Sequence, residues 1–140
     1  MLVVSDTHED PCYFATVRLL ATVEAHREIY IVDGHRGELA RQYDDNIRRV
    51  GYAPTWLNVM RKSNRVAYFE SRVPNKARRA LREIGFSHKD DFVVGLALAA
   101  GAPIVTSDED FLAKTIFDEL SARLGLTILP ACDALVGLAL

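Results

Sequence analysis

Short apolar runs alternate along the chain with longer stretches that have helical spacing. The short runs predict buried strands, because a strand covered on both faces needs no polar alternation. The longer stretches carry apolar residues at intervals of three and four, which places them on one face of a helix. The predicted strands are residues 2–5, 29–33, 66–70, 104–107 and 126–129. The predicted helices are residues 11–26, 36–49, 56–62, 75–84, 90–100, 109–124 and 131–139.

The alternating order of these elements favours an α/β fold. Parallel strands need crossover connections, and helices that make those crossovers cover the faces of the sheet. We therefore expect a three-layer α/β/α arrangement with a central, mainly parallel sheet. The length of 140 residues fits one domain, residues 1–140, and no linker composition divides it.

The composition is that of an ordinary globular protein, with 49% hydrophobic and 26% charged residues. No apolar run reaches the roughly 18 residues that a membrane helix needs. The start of the chain, MLVVSDTHED, lacks the basic region of a signal peptide.

Cys12 and Cys132 match no zinc-binding spacing. We expect them to be reduced thiols in a cytoplasmic protein that does not contact a membrane.

The net charge of −2 conceals a strong segregation of charge along the chain. The segment 48–89 carries +9, whereas the two flanking parts together carry −11. Lys and Arg usually lie on solvated helix faces, but this segregation also suits a surface that holds a polyanion beside an acidic pocket. In that interpretation the residues that hold a nucleic-acid backbone are Arg61, Lys62, Arg65, Lys76, Arg78 and Arg79.

Acidic residues follow the predicted strands or begin the neighbouring helices. Asp6 ends the first strand, Asp108 follows the fourth, and Glu38 lies near the start of the helix after the second. Asp90 and Asp91 begin the helix that leads into the fourth strand. Because the carboxyl ends of parallel strands share one edge, we expect these acids to converge there. Mg²⁺ or Mn²⁺ would offset their repulsion and polarise a phosphodiester.

The stretch 90–111, DDFVVGLALAAGAPIVTSDEDF, resembles the PIN-domain family of metal-dependent ribonucleases. Family members commonly have an Asp at the start of an Ala-rich apolar helix, then a short strand, then a T-x-D-x-D-F pattern. That pattern is matched by Thr106, Asp108, Asp110 and Phe111. The family's first acid follows the first strand, and the sequence Asp-Thr at positions 6–7 is similar to it. Its second acid lies in an early helix, at the place that Glu38 takes in GELARQY.

The resemblance implies a function and a set of site residues. It implies that Asp6, Glu38, Asp90 and Asp108 are catalytic metal ligands supported by Asp110, with one or two Mg²⁺ or Mn²⁺ ions. The activity implied is endonucleolytic cleavage of single-stranded RNA that leaves a 5′-phosphate and a 3′-hydroxyl. Many compact relatives are toxins bound by an antitoxin and many are homodimers, so an antitoxin or regulatory protein and a second copy of the chain are candidate partners. The substrate contacts expected beside the acids are Thr7, His8 and Thr106.

Other interpretations of the same residues stay open. Asp6 and His8 also fit the D-x-H start of a calcineurin-like metallophosphoesterase, although that family's GNH[DE] and G-H-x-H motifs do not occur in the chain. A PIN-like module that binds RNA or a protein without cleavage is a further alternative. Each acid also has an ordinary structural role, because Asp90 and Asp108 both suit a helix N-cap. Asp91 competes with Asp90 for the place of the metal ligand.

Overall fold

A computed structural model of the protein describes residues 2–3, 13–46, 52–106 and 109–140. Its strands are β1 (Leu2–Val3), β2 (Ile31–Gly34), β3 (Val66–Phe69), β4 (Ile104–Thr106) and β5 (Ile128–Pro130). Its helices are α1 (Tyr13–Ala25), α2 (Glu38–Asn46), α3 (Tyr52–Lys62), α4 (Asn75–Ile84), α5 (Asp91–Ala100), α6 (Glu109–Leu112), α7 (Lys114–Leu124) and α8 (Ala134–Gly137). Short 3₁₀ turns precede α5 and α8, at His88–Asp90 and Ala131–Asp133. None of these helices is long and apolar enough to cross a bilayer.

The described strands pair in parallel, as the alternation of elements predicts, but they form two sheets. β4 lies between β1 and β5, with Val3 opposite Thr106. β2 and β3 form the second sheet, with Ile31 opposite Val66. The mixed α/β class is confirmed, and the strands of the described residues form two short parallel sheets. Apolar runs predict that strands exist, but they carry no information about which strands pair.

The core lies between the helices and the two sheets. Trp56, Phe111 and Leu120 are among its fully buried large side chains. Residues 93–97 of α5 are all buried, and this helix packs against β2 and β3. α5 ends at Gly101, as predicted, and the chain then enters β4. This helix therefore connects the two sheets.

The agreement between predicted and observed helix boundaries differs from one helix to the next. The helix predicted over 75–84 is confirmed at both ends, whereas the one predicted over 109–124 is divided into α6 and α7. Ala113 between them has an extended backbone, with ψ of 125°. The break allows Phe111 to enter the core, where its ring meets that of Phe86 edge-on with centroids 5.1 Å apart. Helical periodicity did not predict the break because neither Gly nor Pro marks it.

The cysteine prediction is also corrected. Cys132 lies on the 3₁₀ turn before α8 and is disulfide-bonded, whereas the sequence led us to expect reduced thiols. Cys12, the other cysteine of the chain, lies outside the described residues. The turn that carries Cys132 packs against α1, which is far from it in sequence, so the surroundings of this cysteine depend on the tertiary structure.

Candidate functional site

Glu38 is the first residue of α2, and the fold holds its carboxylate in place. The Ser71 hydroxyl donates a hydrogen bond to Oε2, and the backbone N–H of Arg36 donates to Oε1 over 3.1 Å. Partial burial by itself raises the pKa of Glu38, but the hydrogen bonds and the charge of Arg41 outweigh burial and lower this pKa below its usual value. The carboxylate is therefore ionised and oriented, as a metal ligand must be.

The turn DGHRGE between β2 and α2 explains the position of Glu38. Asp33 is only 5% exposed and accepts the N–H of Leu39 over 2.8 Å and of Ala40 over 3.2 Å, so it caps the helix. A Cβ at Gly34 would overlap Oε1 of Glu38, so a larger residue at this position would displace the carboxylate from its hydrogen bonds. Sequence reasoning missed Asp33, although an acid at the end of a buried apolar strand was the available signal.

Ser71 connects Glu38 to α5. A Cβ on Gly95 would overlap the carbonyl oxygen of Ser71, so the loop after β3 lies directly on this helix. Gly95 follows Asp91 by four residues, which is roughly 6 Å along a helix axis. Glu38 therefore lies close to the first turns of α5, the helix preceded by Asp90.

Asp90 and Asp110 lie in two segments that contact each other. Asp90 is 1% exposed and ends the 3₁₀ turn that leads into α5. A carboxylate buried to this degree needs compensating interactions, because desolvating a charge is costly. Asp110, on α6, is about half exposed, and its Oδ2 lies 3.7 Å from Nζ of Lys89. This contact places Asp110 next to the turn that carries Asp90.

Asp91, the alternative to Asp90, is used in an ion pair within the fold. Its carboxylate binds Arg82 of α4, and its side chain is 18% exposed. Its Oδ2 also lies 4.0 Å from Nδ1 of His88. The ion pair joins α4 to α5, so the geometry favours Asp90 over Asp91 as the candidate ligand.

The remaining acids of the predicted site follow β1 and β4. Thr106 ends β4, is fully buried and pairs with Val3 of β1. The predicted site residues outside the described ranges are Asp6, Thr7, His8 and Asp108. Within the described ranges, no three carboxylate, imidazole or thiol side chains are grouped closely enough to hold a metal ion. The described part of the chain therefore places Glu38, Asp90 and Asp110 but does not by itself form a complete metal site.

Arg65, predicted to hold nucleic acid, is instead used within the fold. It is 7% exposed, and its guanidinium donates to backbone carbonyls where α1 ends and the chain turns towards β2. The accepting carbonyls belong to Val23, Glu24, His26 and Ile29. Carbonyls at a helix C-terminus lack partners within the helix, and Arg65 satisfies them. Its side chain is therefore not available to a phosphate backbone.

Arg61 and Lys62 are exposed, but they lie at the opposite end of β3 from Glu38. They occupy the last turn of α3, just before the amino end of β3. Ser71, which contacts Glu38, follows the carboxyl end of the same strand. Among the described residues, the structure therefore does not bring these two basic residues together with Glu38.

The predicted basic residues of α4 are exposed and lie on two faces of the helix. Lys76 and Arg79 line a groove between α4 and α7. Arg78 precedes Arg82 by four residues and shares its face, and Arg82 reaches Asp91. Of the three predicted residues, Arg78 is thus the one on the face that meets the start of α5.

Sequence reasoning did not select the basic residues nearest to Glu38. Arg36, Arg41 and Arg72 line a cavity of about 330 Å³ together with Glu38 and Ser71. We call this cavity the arginine pocket. The sequence contained a signal for two of these residues, since HRGELAR has one arginine on each side of Glu38. The position of Arg72 depends on the tertiary structure.

Comparisons with known proteins assign no family to the chain. It matches no family model, no curated protein and no solved structure. The resemblance to PIN domains therefore stays a prediction from the sequence.

Proposed function

We propose that the protein is a Mg²⁺- or Mn²⁺-dependent endoribonuclease of the PIN-like type, which hydrolyses phosphodiester bonds of single-stranded RNA. One observation carries the proposal: Val3 lies opposite Thr106, so the strands that precede Asp6 and Asp108 end side by side. The helix that leads to this edge begins next to the buried Asp90. Asp6 and Asp108, which are far apart in the sequence, therefore follow two strands that are neighbours in the sheet.

The strand order supports a ligand site at this edge. β1 and β4 are neighbours in space but not in sequence, and open α/β sheets bind ligands where the strand order changes in this way. We propose further that β2 lies beside β1, which would give the order β3-β2-β1-β4-β5 and the three layers of a PIN-like fold. In support, Ile31 of β2 and Val105 of β4 line the same cavity, of about 310 Å³.

The proposed metal ligands are Asp6, Glu38, Asp90 and Asp108, supported by Asp110. Carboxylate oxygens suit Mg²⁺ and Mn²⁺, and Glu38 fits this role because Ser71 and the backbone already hold it ionised and oriented. When bound, the ions would polarise the phosphodiester and lower the pKa of a bound water. The protein's own contribution is to orient the carboxylates before the metal binds.

The charge distribution supports RNA as the substrate. Arg78 lies on the face of α4 that meets the start of α5, so a polyanion that contacts this exposed arginine would lie near Asp90. Binding through such residues should weaken steeply as the salt concentration rises. An antitoxin partner, a homodimer and a cytoplasmic location stay predictions from the sequence.

Cleavage of labelled single-stranded RNA tests the proposal. The wild type is incubated with Mn²⁺ or with EDTA, beside Asp6→Asn, Asp90→Asn and Asp108→Asn. We expect cleavage in Mn²⁺ by the wild type, and its loss in EDTA and in each of the three variants. The matched control is Asp118→Asn, which removes an exposed carboxylate on α7 and should leave cleavage unchanged.

Three results would contradict the proposal, and each supports a different conclusion. Cleavage that persists in EDTA, or in all three variants, would exclude a metal site at these acids. Hydrolysis of a chromogenic phosphodiester that requires His8, with RNA left intact, would support a metallophosphoesterase. Salt-sensitive RNA binding without cleavage in any metal would support a binding module.

A further inference from the structure

The arginine pocket has more positive charge than its surroundings neutralise. Arg36, Arg41 and Arg72 are all exposed, and no ion pair joins any of them to an acid in the described ranges. Arg41 donates from Nη2 to the backbone carbonyl of Arg36 over 2.9 Å, which orients its guanidinium without neutralising it. Three arginines and two carboxylates therefore line one cavity, and none of the three guanidinium groups is in an ion pair there.

The two acids that line the pocket are held by other groups. Glu38 accepts hydrogen bonds from Ser71 and from a backbone N–H. Glu70 accepts the backbone N–H of Arg72 over 3.2 Å at its Oε1. Neither carboxylate accepts a hydrogen bond from a guanidinium group. The side-chain N–H groups of the arginines can therefore donate to a ligand that enters the pocket.

A phosphate group matches these donors. Guanidinium groups bind phosphate oxygens through pairs of parallel hydrogen bonds. A phosphate monoester carries about −1.5 to −2 charges near neutral pH and has three terminal oxygens, whereas an internal diester carries one charge and has two such oxygens. Three guanidinium groups whose N–H donors are not used by Glu38 or Glu70 therefore match the monoester better. The volume of about 330 Å³ is at the lower end of the range for ligand pockets, which suits a single nucleotide rather than a length of strand.

We propose that the arginine pocket binds a terminal phosphate monoester of an RNA strand. The choice of RNA as the ligand rests on the proposed nuclease function, whereas phosphate binding depends only on the arginines. Because Glu38 lies in the same pocket, a phosphate held there would set the strand end next to a proposed metal ligand. Cleavage would then occur at a short, defined distance from that end.

The test measures binding without metal or cleavage. Three RNA octamers of one sequence, with a 5′-phosphate, with a 3′-phosphate or with hydroxyls at both ends, are titrated calorimetrically into the protein in EDTA. We expect one phosphorylated form to bind about tenfold more tightly than the hydroxyl form, a difference of the size that one bidentate contact provides. The triple variant Arg36→Gln/Arg41→Gln/Arg72→Gln should abolish this preference, and the control Arg27→Gln, an exposed arginine outside the pocket, should retain it.

Failure of this inference is distinguishable from failure of the nuclease proposal. Equal affinity for the three octamers, or a preference that survives in the triple variant, would overturn the inference whether or not the protein cleaves RNA in Mn²⁺. A nucleoside monophosphate that binds as tightly as the phosphorylated octamer would also overturn it, because the site would then select a free nucleotide. An end preference that requires the arginines, without any cleavage in Mn²⁺, would support the inference and contradict the nuclease.

Discussion

The hydroxyl of Ser71 donates a hydrogen bond to the carboxylate of Glu38. This contact joins the loop after β3 to the first residue of α2, across 33 positions of sequence. The same loop lies on α5 at Gly95, so it determines where Glu38 lies relative to the helix preceded by Asp90. Four predictions follow from this region and its surroundings.

Replacing Ser71 by Ala should raise the pKa of Glu38, because the burial that raises it remains while a hydrogen bond that lowers it is lost. A carboxyl whose pKa is lowered by folding stabilises the fold above its unfolded pKa, and that contribution disappears as the pH falls through the folded pKa. The stability difference between wild type and variant should therefore be present at neutral pH and shrink in acid. Carboxyl NMR titration and urea unfolding at several pH values measure both effects.

The control for Ser71→Ala is Ser63→Ala. The Ser63 hydroxyl donates to the Val59 carbonyl over 2.7 Å, in the turn that follows α3. Its removal should leave the titration of Glu38 unchanged. An unaltered Glu38 pKa in Ser71→Ala would show that the hydrogen bond does not act as described.

Replacing Gly34 by Ala should destabilise the protein by about 1–3 kcal/mol, since the new methyl group overlaps Glu38. The loss should be smaller when Glu38→Ala is also present, because the overlapping atoms are then gone. Chemical denaturation of the two single variants and the double variant yields an interaction energy, expected to be at least about 1 kcal/mol. Strict additivity would contradict the contact.

The control for Gly34→Ala is Gly137→Ala. A Cβ on Gly137 would meet Cδ2 of Leu129 at 2.8 Å, which is the flexible end of a side chain. This leucine is able to move aside without losing a hydrogen bond, whereas Glu38 would lose those from Ser71 and Arg36, so we expect a smaller loss of stability than at Gly34.

Replacing Arg65 by Met should destabilise the fold by about 3 kcal/mol, because it leaves carbonyls at the end of α1 without their charged donor. Arg61→Met, on the exposed last turn of α3, should change stability by no more than about 0.5 kcal/mol. Thermal and urea unfolding measure the difference. An Arg65→Met protein as stable as the wild type would show that the buried guanidinium does not stabilise the fold.

Asp90→Asn and Asp91→Asn should affect different properties. Asp91→Asn removes the charge that pairs with Arg82 and should lower stability by about 1 kcal/mol while RNA cleavage is retained. Asp90→Asn should abolish cleavage in Mn²⁺ because Asp90 is the proposed ligand. RNA cleavage and denaturation assays on the purified variants separate the two roles, and the opposite pattern would assign the metal to Asp91.

Part of the candidate site was predictable from local sequence. Glu38 and Asp90 were recognised because each acid lies near the start of a helix next to a strand of a parallel fold. The arginine pocket was not recognised as a unit, since only the fold places Arg72 in the same cavity as Glu38. Arg65 was assigned to a basic surface because its sequence neighbours are basic, and only its burial showed its structural role.

The sequence by itself determined the elements that depend on local signals. Helical periodicity placed α4, and the periodicity that ends at Gly101 placed α5 to within one residue. The pairing of β1 with β4, the pairing of β2 with β3 and the hydrogen bond from Ser71 to Glu38 depend on the tertiary structure. The physical reason is that backbone preference and apolar spacing depend on a few neighbouring residues. These contacts join segments that are far apart in sequence, so no local pattern predicts them.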